Sequence, residues 1–170
     1  MKKLLLFLFG FFSLLTNAQG NFPNDYFGNY IGTLQIQSEK GNRELPMELH
    51  FQPTDSTEIY HYTIVYGEGD QRQERKYFLK AEDASKGKYI IDEDNGIILQ
   101  VTQMGNQLYS LFEVNGSLLT TFITFEEDHL IFEITVATRE NKEVTYATED
   151  QTEVIAYPIG IRQKAVLIKQ

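Results

Sequence analysis

Three groups of side chains have the chemistry to build a site. His50 and His61 fall on neighbouring alternating stretches, with Glu48 and Glu58 close by. Two imidazoles and a carboxylate form a zinc donor set. Their spacing matches no metal motif, and two histidines on the polar sides of strands is the simpler reading, so no metal is assigned. Asp92, Glu93 and Asp94 run into Asn95-Gly96. They lack the regular oxygen spacing and closing bidentate Glu of a calcium loop, and read as a solvated turn, as do Glu126, Glu127 and Asp128. Glu113 and Glu133 stand among apolar neighbours. Turned inward, they would be carboxylates in a low dielectric, and a pair about 5 Å or roughly 6.5–9.5 Å apart could cleave a glycoside. Alternation sets them opposite Phe112, Val114, Phe132 and Ile134, which favours an outward or rim position.

Nucleophilic chemistry has no support. Ser110 and Ser117 lack a nucleophile-elbow context, the chain has no cysteine, and no phosphate loop, dinucleotide fingerprint or zincin helix is present. No catalytic residue is assigned, and the chain reads as a non-enzyme. The aromatic residues are the better lead. The chain has 10 Tyr and 12 Phe, and Tyr60, Tyr62, Tyr66, Tyr77, Tyr89, Tyr109 and Tyr157 lie in or beside strand-like segments. A tyrosine offers an apolar face and a hydroxyl, which suits a ring-containing or amphipathic ligand. The same residues could instead fill a small core.

The elements carrying these residues read as strands, with period-2 alternation, β-branched and aromatic residues, and frequent turn signals. Expected strands are 28–38, 45–52, 57–66, 72–81, 88–92, 97–104, 107–114, 117–125, 129–138, 143–148, 153–157 and 164–168. Asn95-Gly96 and Asn115-Gly116 are hairpin signals, because both residue types tolerate positive φ. Pro158-Ile159-Gly160 reads as a turn. Short helical turns are expected near 23–27 and 83–86. Two packed sheets are possible, but closure into one antiparallel barrel of about ten strands is favoured, because it removes exposed edges. The apolar runs Ile97-Ile98-Leu99 and Leu118-Leu119 present both faces of a strand. They call for a cover, which the tail 164–168 could supply.

The chain opens Met1-Lys2-Lys3, continues through an apolar run from Leu4 to Leu15, and reaches Thr16-Asn17-Ala18 before Gln19. This is the layout of a secretory signal peptide over 1–18. The run is shorter than the roughly 20 residues of a spanning helix, so no transmembrane segment is expected. The expected protein is a single domain, 19–170, exported to the periplasm or the extracellular space. Its net charge of −9 argues against a broad nucleic-acid surface. The one basic cluster, Arg72, Arg75, Lys76 and Lys80, reads as a solvated strand face, with a specific anion site as the alternative.

Phe27-Gly28-Asn29-Tyr30-Ile31-Gly32-Thr33-Leu34 resembles the Gly-x-Trp opening of the calycin superfamily, which includes lipocalins, fatty-acid-binding proteins and nitrobindins. Gly28 matches the glycine, Tyr30 stands at the tryptophan position, and Gly32 fits the further glycine of the nitrobindin-like branch. Residues 62–66, 75–77, 87–97 and 112–118 extend the similarity to small exported calycin-like proteins of unassigned function from Bacteroidetes. The resemblance implies an all-β, up-and-down calycin-like barrel with the Gly28, Tyr30, Gly32 motif plugging one end. The nitrobindin branch holds haem through a late histidine. The histidines here are His50, His61 and His129, so no cofactor is assigned.

The function read from this is binding of a small hydrophobic or amphipathic ligand inside an exported barrel. Tyr62, Ile64, Tyr66, Tyr77, Phe112, Phe122, Phe132 and Ile134 are the expected cavity lining. The alternative is a filled barrel acting as a protein-interaction or cell-envelope module, with its protein partner unknown.

Overall fold

The computed structural model describes residues 21–170; the leader expected over 1–18 lies outside them. Its strands are β1 (Gly28–Ser38), β2 (Gly41–Pro53), β3 (Ile59–Tyr66), β4 (Gln73–Asp83), β5 (Lys88–Asp92), β6 (Ile98–Met104), β7 (Gln107–Val114), β8 (Ser117–Phe125), β9 (His129–Thr138), β10 (Glu143–Tyr146), β11 (Glu153–Ala156) and β12 (Ile159–Lys169). Short 3₁₀ turns at Asn24–Tyr26 and Ala84–Lys86 match the two expected helical turns. Ten strands close into one antiparallel barrel, in the order β1-β12-β9-β8-β7-β6-β5-β4-β3-β2. The barrel expectation holds and the two-sheet alternative falls. Strands adjacent in sequence pair throughout, with a single excursion. After β9 the chain forms the separate β10–β11 hairpin, then returns as β12 between β9 and β1.

The short links reflect their turn residues. Asn115 (φ 48°) and Gly116 (φ 77°) both hold positive φ, the requirement of a two-residue hairpin whose twist matches its strands. The other hairpin signal resolves differently. Asp94 (φ 55°) and Gly96 take the positive φ values, while the Asn95 side chain accepts a hydrogen bond from the Ile97 amide at 2.9 Å. The loop is wider than a two-residue turn because Asp92 and Asn95 satisfy its backbone with their side chains.

The tail differs most from expectation. It does not cover another layer. β12 is a full barrel strand beginning at Ile159, and the expected turn at Pro158-Ile159-Gly160 reduces to a register shift between Ile159 and Ile161. The β1 and β9 edges would otherwise be unpaired, and pairing outweighs the local turn propensity. Ile97 and Ile98 remain about half exposed, without the cover that their sequence suggested.

Inward positions follow from register. Tyr30, Leu34, Met47, Leu49, Phe51, Leu79, Ile123, Phe125, Leu130 and Leu167 are essentially inaccessible to solvent. One end of the barrel is packed shut. Residues 22–27 fold across it, placing the Phe22 ring 5.5 Å from Tyr89, 5.6 Å from Phe125 and 6.0 Å from Phe51. Tyr26 lies 5.3 Å from Phe125, and Phe27 lies 5.1 Å from Phe51. The Tyr30 hydroxyl donates to the Tyr26 carbonyl at 2.6 Å. Tyr30 therefore sits within an aromatic plug to which Phe22, Tyr26, Phe27, Phe51 and Phe125 contribute more rings.

The two glycines of the opening motif differ. A Cβ on Gly32 would meet the Val166 carbonyl and the Leu167 side chain and backbone, which the β1–β12 pairing holds in place. A Cβ on Gly28 would meet only the flexible end of Lys169. Gly32→Ala is expected to cost about 2 kcal/mol, lowering the melting temperature by about 4–8 °C. Gly28→Ala should change it by less than about 2 °C. Thermal unfolding of both variants checks this, and equal shifts would refute the close-approach account.

Candidate ligand-binding site

Among the described residues, no segment folds across the opposite end. There the turns joining β1 to β2, β3 to β4, β5 to β6 and β7 to β8 ring the mouth, and the β10–β11 hairpin rises from the same rim. Inward residues in this half are only partly buried: Leu45, Tyr66, Tyr77, Ile91, Leu99, Phe112, Leu119, Thr121, Ile134, Val136 and Gln163. Their faces are fixed by pairing. Tyr62 faces Tyr77, Phe112 faces Leu119, and Thr121 faces Ile134. Solvent thus reaches an inner wall that is largely aliphatic and aromatic, above a floor of packed side chains.

The expected lining residues divide by depth. Tyr62, Ile64 and Phe132 are 2 %, 7 % and 1 % exposed and belong to the floor. Tyr66, Tyr77 and Ile134 pack on that core while remaining partly open to solvent, and Phe112 lines the mouth. Phe122 does not belong with them. It pairs with Tyr109 and Glu133 on the outer surface, its ring edge-on to Tyr109 at 5.6 Å. The even-spaced apolar set of β8 that reaches the core is Leu119, Ile123 and Phe125 together with Thr121. Apolar residues on both faces of 118–125 hid that phase.

The basic cluster also resolves into separate faces. Arg75 pairs with Ile64 and shares the inner face of β4 with Tyr77 and Leu79, whereas Lys76 and Lys80 point outward. The Arg75 guanidinium lies 5.5 Å from the centre of the Tyr66 ring. Burial lowers its pKa, but the interactions with Tyr77, helped by Tyr66 and Glu93, outweigh that and hold it above the ordinary arginine value. The sequence grouped the four cations on one face, and the register separates Arg75 from the rest. Its spacing from Tyr77 was the available signal.

The other candidates lie outside the barrel. His50 bonds Asn29 and Glu48, each at 2.8 Å, while His61 stacks on Phe78 at 5.4 Å. The two do not converge, and no metal-competent cluster of His, Cys, Asp and Glu occurs among the described residues. Glu133 accepts from Arg162 at 2.6 Å, with Lys164 at 3.5 Å, and Glu113 accepts from Arg139 at 3.2 Å. The Arg162 hydrogen bond, assisted by Lys164, lowers the Glu133 pKa. Both carboxylates are outer-face ion-pair partners. Their outward reading stands, and they do not form a pair across the interior.

No family model matches the chain, nor does any curated protein. Among solved structures it is similar to an S-type phycobiliprotein lyase from Guillardia theta. The TM-score is 0.58 with 8 % identity, covering 86 % of this chain and 89 % of that one. At that identity the likeness shows the fold, a calycin-like barrel.

The interior tyrosines give the stability a pH dependence of known sign. Burial raises the Tyr62 phenol pKa, and it raises that of Tyr66 to about 12. The unfolded phenol ionises near pH 10. The buried neutral hydroxyls therefore contribute fully below about pH 10, and that contribution is lost as pH rises toward the folded values. Unfolding free energy should fall between pH 10 and 11.5, and Tyr62→Phe should remove up to about 1.4 kcal/mol per pH unit of that slope. Denaturant titrations at several pH values measure it, and an unchanged slope would contradict the burial of Tyr62.

Proposed function

We propose that this protein is an exported, non-enzymatic binder that carries a small hydrophobic or amphipathic molecule in the open half of its barrel. The observation that carries the reading is the contrast between the two halves. One end is sealed by interlocked rings, while the other presents Leu45, Phe112, Leu119, Ile134 and Val136 to solvent from within. Keeping apolar surface wet is unfavourable by about 25 cal/mol per Å². A wall of this kind is stabilised when a ligand displaces that water. A solved barrel of similar shape is named a phycobiliprotein lyase; that supports a barrel scaffold and leaves the choice of ligand to this chain's own side chains. The leader expected over 1–18 supports export.

A second reading, an interaction or envelope module, is favoured by the outer face of β1 and β12. There Ile31 pairs directly with Ile168, Val166 lies two residues away, and all three are about half exposed.

Native mass spectrometry of protein purified from the exported fraction distinguishes the readings. An added small-molecule mass, lost on denaturation, is expected. A dimer or bound polypeptide without any small molecule would favour the interaction reading. Thr121→Trp, which places a large ring in the open half, should weaken saturable Nile red binding at least tenfold. Wild-type protein that binds no Nile red and carries no added mass would overturn the ligand reading. N-terminal sequencing should begin at Gln19; retention of Met1 in the exported fraction would contradict a cleaved leader.

A further inference from the structure

The arginines separate by face in a way that the net charge of −9 does not suggest. The chain has five. Three point outward, and each meets a glutamate: Arg72 with Glu48 at 3.3 Å, Arg139 with Glu113 at 3.2 Å, and Arg162 with Glu133 at 2.6 Å. The other two, Arg43 and Arg75, share inward registers with Ile36 and Ile64 in the half opposite the plug. Neither forms an ion pair among the described residues. Between them and the plug, the inward strand positions carry tyrosine, serine, threonine and glutamine as polar groups, and no carboxylate among the described residues. Glu93, on the turn after β5, influences Arg75 electrostatically without forming a salt bridge to it.

Arg75 is the better placed of the two. It is anchored on the Tyr66 ring at 5.5 Å, with the Tyr77 hydroxyl beside it, and it lies above the apolar wall rather than on the outer surface. A guanidinium held by an aromatic face keeps its remaining donors in a planar fork, the geometry that receives an oxyanion through two parallel hydrogen bonds. The tyrosine hydroxyl can donate to the same oxyanion. In a protein so acidic, an unpaired cation at an apolar mouth selects for charge.

We propose that the ligand is an amphiphile with an anionic head, a carboxylate or a phosphate ester, which Arg75 receives at the mouth with Tyr66 and Tyr77 while the apolar tail lies along Phe112, Leu119 and Ile134. This rests on the ligand-binding reading above and adds the chemistry of the head group.

The test uses displacement of Nile red by three twelve-carbon probes, dodecanoate, dodecyl phosphate and dodecanol, on wild-type protein and on Arg75→Gln, Arg75→Lys and Tyr77→Phe. Arg75 is exposed, so the glutamine variant should fold, and its melting temperature verifies this. In wild-type protein at least one anionic probe should displace Nile red at no higher concentration than dodecanol. Arg75→Gln should weaken that probe about tenfold, the effect of losing a charge-assisted hydrogen bond, and should leave dodecanol within about twofold. Arg75→Lys should restore part of the loss, and Tyr77→Phe should produce a smaller one. Whichever anion responds identifies the source of the head group. Equal weakening of dodecanol, or no weakening of either anion, would overturn the head-group assignment while saturable Nile red binding left the interior intact as a site. Absence of Nile red binding in wild-type protein would instead remove the underlying reading.

Discussion

Closure of the sheet through β1 is the constraint on which the rest depends. β1 pairs along nearly its whole length with β2 on one side and with β12 on the other, so the first and last strands meet and no barrel edge remains open. That contact requires the β1 backbone to come close to β12, and Gly32 makes room for it where any Cβ would strike the Val166 carbonyl. A barrel of this size has a definite inside, and the inside then has two ends with different fates.

The ends differ because the chain entering β1 brings rings with it. Phe22, Tyr26 and Phe27 reach across one opening to Phe51, Tyr60, Tyr89 and Phe125, and the Tyr30 hydroxyl ties the segment down by bonding to Tyr26. Ring pairs at 5–6 Å contribute modestly one by one, about 0.5–1.5 kcal/mol beyond burial, but they share members and so act as one block. No comparable segment closes the other end among the described residues. The β10–β11 hairpin rises there instead, with Val144, Tyr146, Val154 and Ile155 exposed. A sealed floor beneath an apolar wall follows from this asymmetry, as does the value of the inward arginines at the mouth.

Charge is sorted by the same alternation that sorts hydrophobicity. On the outer face, carboxylates and cations sit on adjacent strands and pair, as Glu133 does with Arg162 and Lys164, and Lys80 with Asp92 at 2.6 Å. These exposed pairs contribute little stability individually, but they occupy the carboxylates. The same pleat turns Arg75 inward, beyond the reach of those partners.

Much of this was legible in the residues themselves. Alternation along 45–52 and 129–138 placed Leu49, Phe51, Leu130 and Phe132 on buried faces, because a strand's period of two is a local property of its backbone. Turn chemistry set the Asn115-Gly116 hairpin for a similar reason, since positive φ belongs to the residue types. What required the tertiary structure was every relation between strands distant in sequence. The assignment of Phe122 to the outer face depended on which phase of an apolar run met the core. The role of residues 159–169 as the closing strand depended on the free edges of β1 and β9. The absence of a salt bridge between Arg75 and the outer-face glutamates depended on closure, which creates an interior only when residue 30 stands beside residue 169. Periodicity is written one residue at a time, whereas inside and outside exist only once the sheet has met itself.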